Sequence, residues 1–262
     1  QVDPPWTFLT QLEELYTVEK FTSETISLPV NTDVLMLVHP KEYSDALLFA
    51  IYQYALSGGK ILAFLDAHNE SDQMAMMVGP MPSVSSSNLE RLINAWGVNF
   101  DSDNVLLDAM AGLDIRTQEG GVTRHFGFVG FTTDQLDRDD VLTSNLEVLN
   151  GASFGVFSQI EGSETNWLPL VKSTLNSDLM DTGTYAMTQD PEQLAKAYQS
   201  DNQAYVLAAR LSGSAKSAFE QTPEEIEPTE IVKSNAALVH FSYSCKLFIK
   251  WPACRLNFKL LD

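Results

Sequence analysis

The chain has 262 residues, 44% of them hydrophobic, with ordinary glycine and proline content, enough to bury one large or two modest cores. Sixteen basic against 35 acidic residues give a formal net charge of −19, which repels phosphate backbones and argues against nucleic acid as a partner. Both cysteines, Cys245 and Cys254, lie in the last 18 residues, which argues against a cysteine nucleophile or a thiolate zinc site in the body; no metal or cofactor is expected.

The opening WTFLTQLEELYTVEKFTS predicts a short helix, with Phe8, Leu9, Leu12 and Leu15 on one face, running into a strand near Tyr16 to Phe21. Residues 33 to 66 predict a complete strand, helix, glycine turn and strand. The apolar run Val34 to Val38 ends at His39-Pro40, where proline cannot continue a central strand. Ala46, Leu47, Phe49, Ala50, Tyr54 and Ala55 recur at helical spacing, and Gly58-Gly59 closes the helix. Ile61 to Leu65 is apolar throughout, as suits a parallel strand covered on both faces and reached by a right-handed crossover.

After Asp66 the chain reads as a polar, methionine-bearing loop. Helical order returns in SSSNLERLINAWGV, where a serine or Asn88 is expected to cap, Leu89, Leu92, Ile93 and Trp96 form a stripe, and Gly97 ends the helix. NFDSDNVLLD suggests a short strand pair, and the alternation from Gly112 to Phe131 around Gly120-Gly121 suggests a hairpin. Strands are expected around Ala152 to Phe157, in NWLPLVKST, near Thr184 to Met187 and in YVLAARLSG, with a helix opening at PEQLAKAYQ. Residues 214 to 230 read as an acidic, solvated loop. Residues 236 to 262 carry four of the 16 basic residues and one acid, Asp262. This tail reads as a basic partner-binding segment or as an expression boundary, sequence error or frameshift, with ALVHFSY still able to fill a strand position. The expected division is therefore 1–235 for the domain and 236–262 for the tail.

Few motifs carry chemistry. SGGK at 57–60 lacks the upstream glycine and following Ser/Thr of a phosphate loop, and it precedes a strand, so it reads as a helix terminus. His39, Asp66 and His68 fall at or just beyond the C-terminal ends of two apparent parallel strands, the edge at which open α/β sheets bind ligands. With Trp96 they are the candidate ligand-binding residues; no metal is assigned to them. Ser153 sits in GASFG, a G-x-S-x-G frame, but the expected strand follows the serine where a nucleophile elbow needs one before it. Asn69-Glu70-Ser71 fits a glycosylation sequon.

Four segments, DVLMLVHPKEYSDALLFAIYQYALSGGKILAFLD, LINAWGVNFDSDNVLLD, TSNLEVLNGASFGVF and AYVLAARLSGSAKSAF, together resemble the extracytoplasmic domain of GldG-like, gliding-motility-type auxiliary proteins of ABC transporters, over about residues 15 to 220. The resemblance implies an α/β fold with a mainly parallel sheet, flanking helices and added β hairpins, akin to flavodoxin-like or glutamine-amidotransferase-like sheets. It implies a bacterial, periplasmic location, anchoring by membrane segments outside this chain, and membrane-embedded ABC transporter subunits as partners. No catalytic residues come with it. The family tends to end the domain with a strand carrying an aspartate-rich turn, which the tail from Ala236 lacks. The expected role is non-catalytic, in protein interaction or assembly. A solute- or glycan-binding module at the strand edge is the alternative, and a serine hydrolase on Ser153 the third.

Overall fold

The computed structural model describes residues 7–23, 25, 27–28, 31–70, 84–117, 120–188, 190–216, 218–224, 226, 234–242 and 257–261. Most of the loop expected after Asp66, including Ser71 of the sequon, lies outside these residues, as does most of the tail.

Helix α1 (Thr7–Leu15) buries Leu9 and leads into β1 (Thr17–Phe21), as its amphipathic pattern predicts, although Leu15 at the helix end is exposed. The predicted crossover forms from β2 (Val34–Val38), α2 (Asp45–Leu56) and β3 (Lys60–Phe64). Ser44 caps α2 by accepting the Leu47 N–H, and Gly58 ends it at φ 92°, a left-handed geometry that a side chain resists. Strands β2 and β3 pair in parallel with Val38 opposite Phe64. Leu35 and Leu37 face the main core, while Met36 and Val38 face a smaller cluster with Leu9, Tyr16, Leu62 and Phe64. Both faces of this part of the sheet are therefore covered, and each fully buried leucine contributes about 2 kcal/mol.

Helix α3 (Glu90–Ala95) starts after Leu89 with no side-chain cap, so neither a serine nor Asn88 has the expected capping role; Gly97, at φ 82°, ends it. Strands β4 (Val98–Asp101) and β5 (Asn104–Asp108) exist but do not pair with each other. The first joins β9 (Val156–Gln159) and the second joins β11 (Ser177–Asp181). The expected hairpin is β6 (Gly112–Arg116) with β7 (Val122–Thr132), extended by β8 (Val148–Ala152) into a three-stranded sheet. A short 3-10 turn covers Thr133–Gln135. The β10 strand (Thr165–Lys172) is where it was expected. Residues 184 to 187 are helical, not extended: Asp181 accepts the Thr184 N–H and opens α4 (Thr182–Met187). Helix α5 (Pro191–Ala197) has its proline at the start, as predicted.

The large sheet runs β1-β14-β2-β3-β13-β12-β9-β4, with β10 also on β12. Here β12 is Val206–Lys216, β13 is Ser234–Ser242 and β14 is Asn257–Leu261. The strand expected from ALVHFSY is thus present as part of β13, which runs across residue 236 and lies parallel to β3. Pairings from β1 to β13 are parallel and those beyond are antiparallel. Among the described residues, seven of eleven pairings are antiparallel, which overturns the expected mainly parallel, flavodoxin-like or glutamine-amidotransferase-like sheet. Among the parallel strands early in the chain, the continuous buried run belongs to β2 and β3; β1, parallel to β14, is mostly exposed. From Val98 onward strands such as β7 alternate buried and less buried positions, as an antiparallel sheet with one covered face does, and β6 and β7 are joined by a short turn, which only antiparallel neighbours permit.

The acidic stretch after β12 is not wholly solvated. Phe219 is buried, edge-on to Phe49 at 5.4 Å and to Tyr52 at 6.0 Å, with the Arg91 guanidinium 4.2 Å above its ring. Among the described residues no helix is long and apolar enough to cross a membrane.

Candidate functional site

Because β2 and β3 are parallel neighbours in register, their C-terminal ends bring His39 and Asp66 together. His39 leaves β2 at φ 46°, a left-handed conformation unusual for a residue with a side chain, and its N–H is held by the Phe64 carbonyl at 2.9 Å. Its Nδ1 lies 3.2 Å from Asp66 Oδ2 and 2.9 Å from Ser87 Oγ, and its Nε2 lies 3.3 Å from Ser85 Oγ. Ser87 accepts the Asp66 N–H at 2.8 Å through its hydroxyl and donates its own N–H to the Asp66 carbonyl. The Asn88 N–H to the Pro40 carbonyl, at 2.7 Å, completes the stitching of residues 84–88 to the strand ends. Ser85 and Ser87 were not singled out from the sequence; their alternate spacing in SVSSS was the available signal.

His68 goes to a different neighbourhood. From Asp66 the chain carries His68 and Glu70 toward Ser153 and Tyr185, where the His68 ring stands edge-on to Tyr185 at 6.1 Å. Glu70 Oε1 accepts from both the Ser153 hydroxyl and, at 3.3 Å, the Tyr185 hydroxyl, and the two hydroxyl oxygens lie 3.1 Å apart. Ser153 is fully buried and sits at φ 55° between β8 and β9. A strand precedes it as well as follows it, contrary to the sequence expectation, yet no helix follows as a nucleophile elbow requires. Burial first, and the charge of Glu70 second, push the Tyr185 phenol far above its ordinary range, so it stays protonated and donates.

The floor of this cluster is a bulge in β7. Leu113 pairs with His125 but Gly112 pairs with Val129, so residues 126–128 stand out of register. His125 Nδ1 accepts the N–H groups of Gly127 at 3.2 Å and Phe128 at 3.1 Å, which places the ring proton on Nε2. The bulge then offers the Gly127 carbonyl to the Ser153 N–H at 2.9 Å. Gly127 also lets Tyr185 approach: a Cβ there would lie 2.6 Å from the phenol. Burial lowers the His125 pKa, and Glu70 opposes this in part.

Trp96 is placed apart from both clusters. It is 1% exposed, packs on Tyr52 with centroids 5.4 Å apart, and its carbonyl accepts the Thr165 hydroxyl at 2.8 Å. The structure thus joins His39 to Asp66, sends His68 to Ser153 and Tyr185, and puts Trp96 in the core. Among the described residues no group of three or more His, Cys, Asp or Glu side chains is arranged to hold a metal ion. Chemically, the Glu70 carboxylate is placed to take the Ser153 hydroxyl proton, while Tyr185 supplies a neutral donor beside it.

The molecule is a mixed α/β domain whose parallel strands present a polar, internally hydrogen-bonded edge. The chain belongs to the ABC-transporter auxiliary family described as "ABC-type uncharacterized transport system", which matches residues 1–242. No curated protein and no solved structure matches the chain.

Proposed function

We propose that this domain works outside the cytoplasmic membrane as a docking component of an ABC transport system, binding membrane-embedded subunits rather than turning over a substrate. The family match over residues 1–242 carries the reading, since it makes the chain an auxiliary component of such a system. The resemblance to GldG-like domains supports the periplasmic placement and the anchoring by segments outside this chain. The strand edge agrees with a scaffold, because both ring nitrogens of His39 are engaged by serines of the same chain. Co-purification of the full-length protein with the transporter's membrane subunits tests the role, and loss of the complex on deleting this domain is expected. A reporter-enzyme fusion active only when exported tests the location; activity only in the cytoplasm overturns it.

A second reading is favoured by one observation: His39 and Ser153, at the two ends of the Asp66–Glu70 segment, both hold left-handed backbone, which tends to be stored at ligand sites. On this reading a small polar solute binds along the Asp66–Glu70 segment, between His39 and Asp66 at the strand edge and His68 beside Tyr185. Saturable thermal stabilisation by a sugar or amino acid, abolished by His68→Ala, supports it; unchanged melting with every solute class rejects it.

A further inference from the structure

The turn between β5 and β6 and the turn between β10 and β11 are locked to each other by one buried carboxylate. Asp108, 0% exposed, accepts the N–H groups of Met110 at 3.0 Å and Ala111 at 2.9 Å on one side. On the other it accepts the Thr174 N–H at 2.8 Å, the Thr174 hydroxyl at 2.9 Å and the Ser177 hydroxyl at 3.3 Å. The Ala109 N–H to the Asn176 carbonyl, at 3.0 Å, and Asn176 Nδ2 to Met110 Sδ, at 3.6 Å, join the turns directly.

What this clamp displays is apolar. Met110 is 68% exposed and Leu175 is 61% exposed, at tips where polar residues usually serve. A side chain presented on a fixed turn loses less entropy on binding, which is how an anchor of an interface is preorganised. The surroundings of Leu175 are acidic. The Leu175 carbonyl accepts from Ser200 Oγ, beside the exposed Asp201, and Asp178 follows two residues after Asn176. The whole chain carries a net charge of −19.

Resting on the docking role proposed above, we infer that Met110 and Leu175 are the apolar anchor of the docking surface, and that their partner is a segment of the membrane subunits with an apolar side chain flanked by Lys or Arg. Two side chains are an anchor and not a whole interface, which needs about 800 Å² per partner. Charge complementarity selects the cationic partner over an acidic one.

The test uses two synthetic amphipathic peptides with the same leucine face, one with lysine and the other with glutamate on the polar face. The lysine peptide is expected to bind the native chain, and the Met110→Ser/Leu175→Ser double variant about tenfold more weakly, or ~1.4 kcal/mol. Asp178→Asn with Asp201→Asn keeps acceptor oxygens in place and is expected to flatten the salt dependence of binding. Equal binding by the native chain and the serine variant, or equally tight binding of the glutamate peptide, overturns the surface. Melting near the native temperature confirms that the variants fold. Co-purification separates the two claims: a serine variant that still co-purifies with the membrane subunits overturns the anchor alone, and a native chain that does not co-purify overturns the role itself.

Discussion

At the scale of single residues, two buried groups govern this structure through the protons and hydrogen bonds they hold. Asp108 satisfies five donors from two turns, so Asp108→Ala leaves several of them unpaired in the interior. A loss of about 3 kcal/mol is expected in urea denaturation, with Asp108→Asn in between, since its amide oxygen still accepts. His125 acts through its Nδ1, which faces two backbone N–H groups and cannot take a proton without losing both. Its folded pKa lies below the ordinary value of 6.5, by burial chiefly. The stability it contributes is therefore fully present above about pH 6.5 and is lost as pH falls below that toward the depressed folded pKa. Comparing urea midpoints at pH 7.5 and pH 5.5 is expected to show a larger acid loss for the native chain than for His125→Asn. An equal loss in both would assign the acid response to other groups.

Elements were legible in the sequence where the deciding contacts are local. Pro40 and Gly58 punctuate β2, α2 and β3 within one short stretch, and the structure keeps all three boundaries within a residue or two. Partners set by distant residues were not legible. β4 looks like half of a hairpin with β5, but Phe100 pairs instead with Phe157, their rings 5.0 Å apart. Thr184 and Tyr185 have strand-type side chains, yet the Asp181 cap and burial of Tyr185 make that segment helical. The candidate site divides the same way. His39 and Asp66 follow from the strand ends, whereas Glu70, Ser153, Tyr185 and the His125 bulge meet only through tertiary packing. The junction of β8 and β9 is tight enough to test: a Cβ at Gly155 would lie 2.7 Å from both the Asp101 carbonyl oxygen and the Phe100 ring. Gly155→Ala is expected to cost about 2 kcal/mol by overpacking. A melting temperature equal to the native one would show that β4 can move aside.

At the scale of the whole molecule, the net charge of −19 sets a background against which every local interaction works. Self-repulsion of this kind is screened within about 10 Å at 0.1 M salt, so sodium chloride is expected to raise the melting temperature between low and physiological ionic strength. A flat or falling response would mean that the described ion pairs, such as the buried Asp140 with Arg210, outweigh the repulsion.

The placement of β13 beside β3 also dictates the order in which the molecule can be completed. Lys60 pairs with Leu238, so the edge of β3 stays open during synthesis until residues 234–242 have left the ribosome. Contacts of such long sequence separation make folding slow, with an apolar parallel edge exposed until β13 emerges. Until β13 arrives, the β3 edge is a strand template open to pairing with another chain.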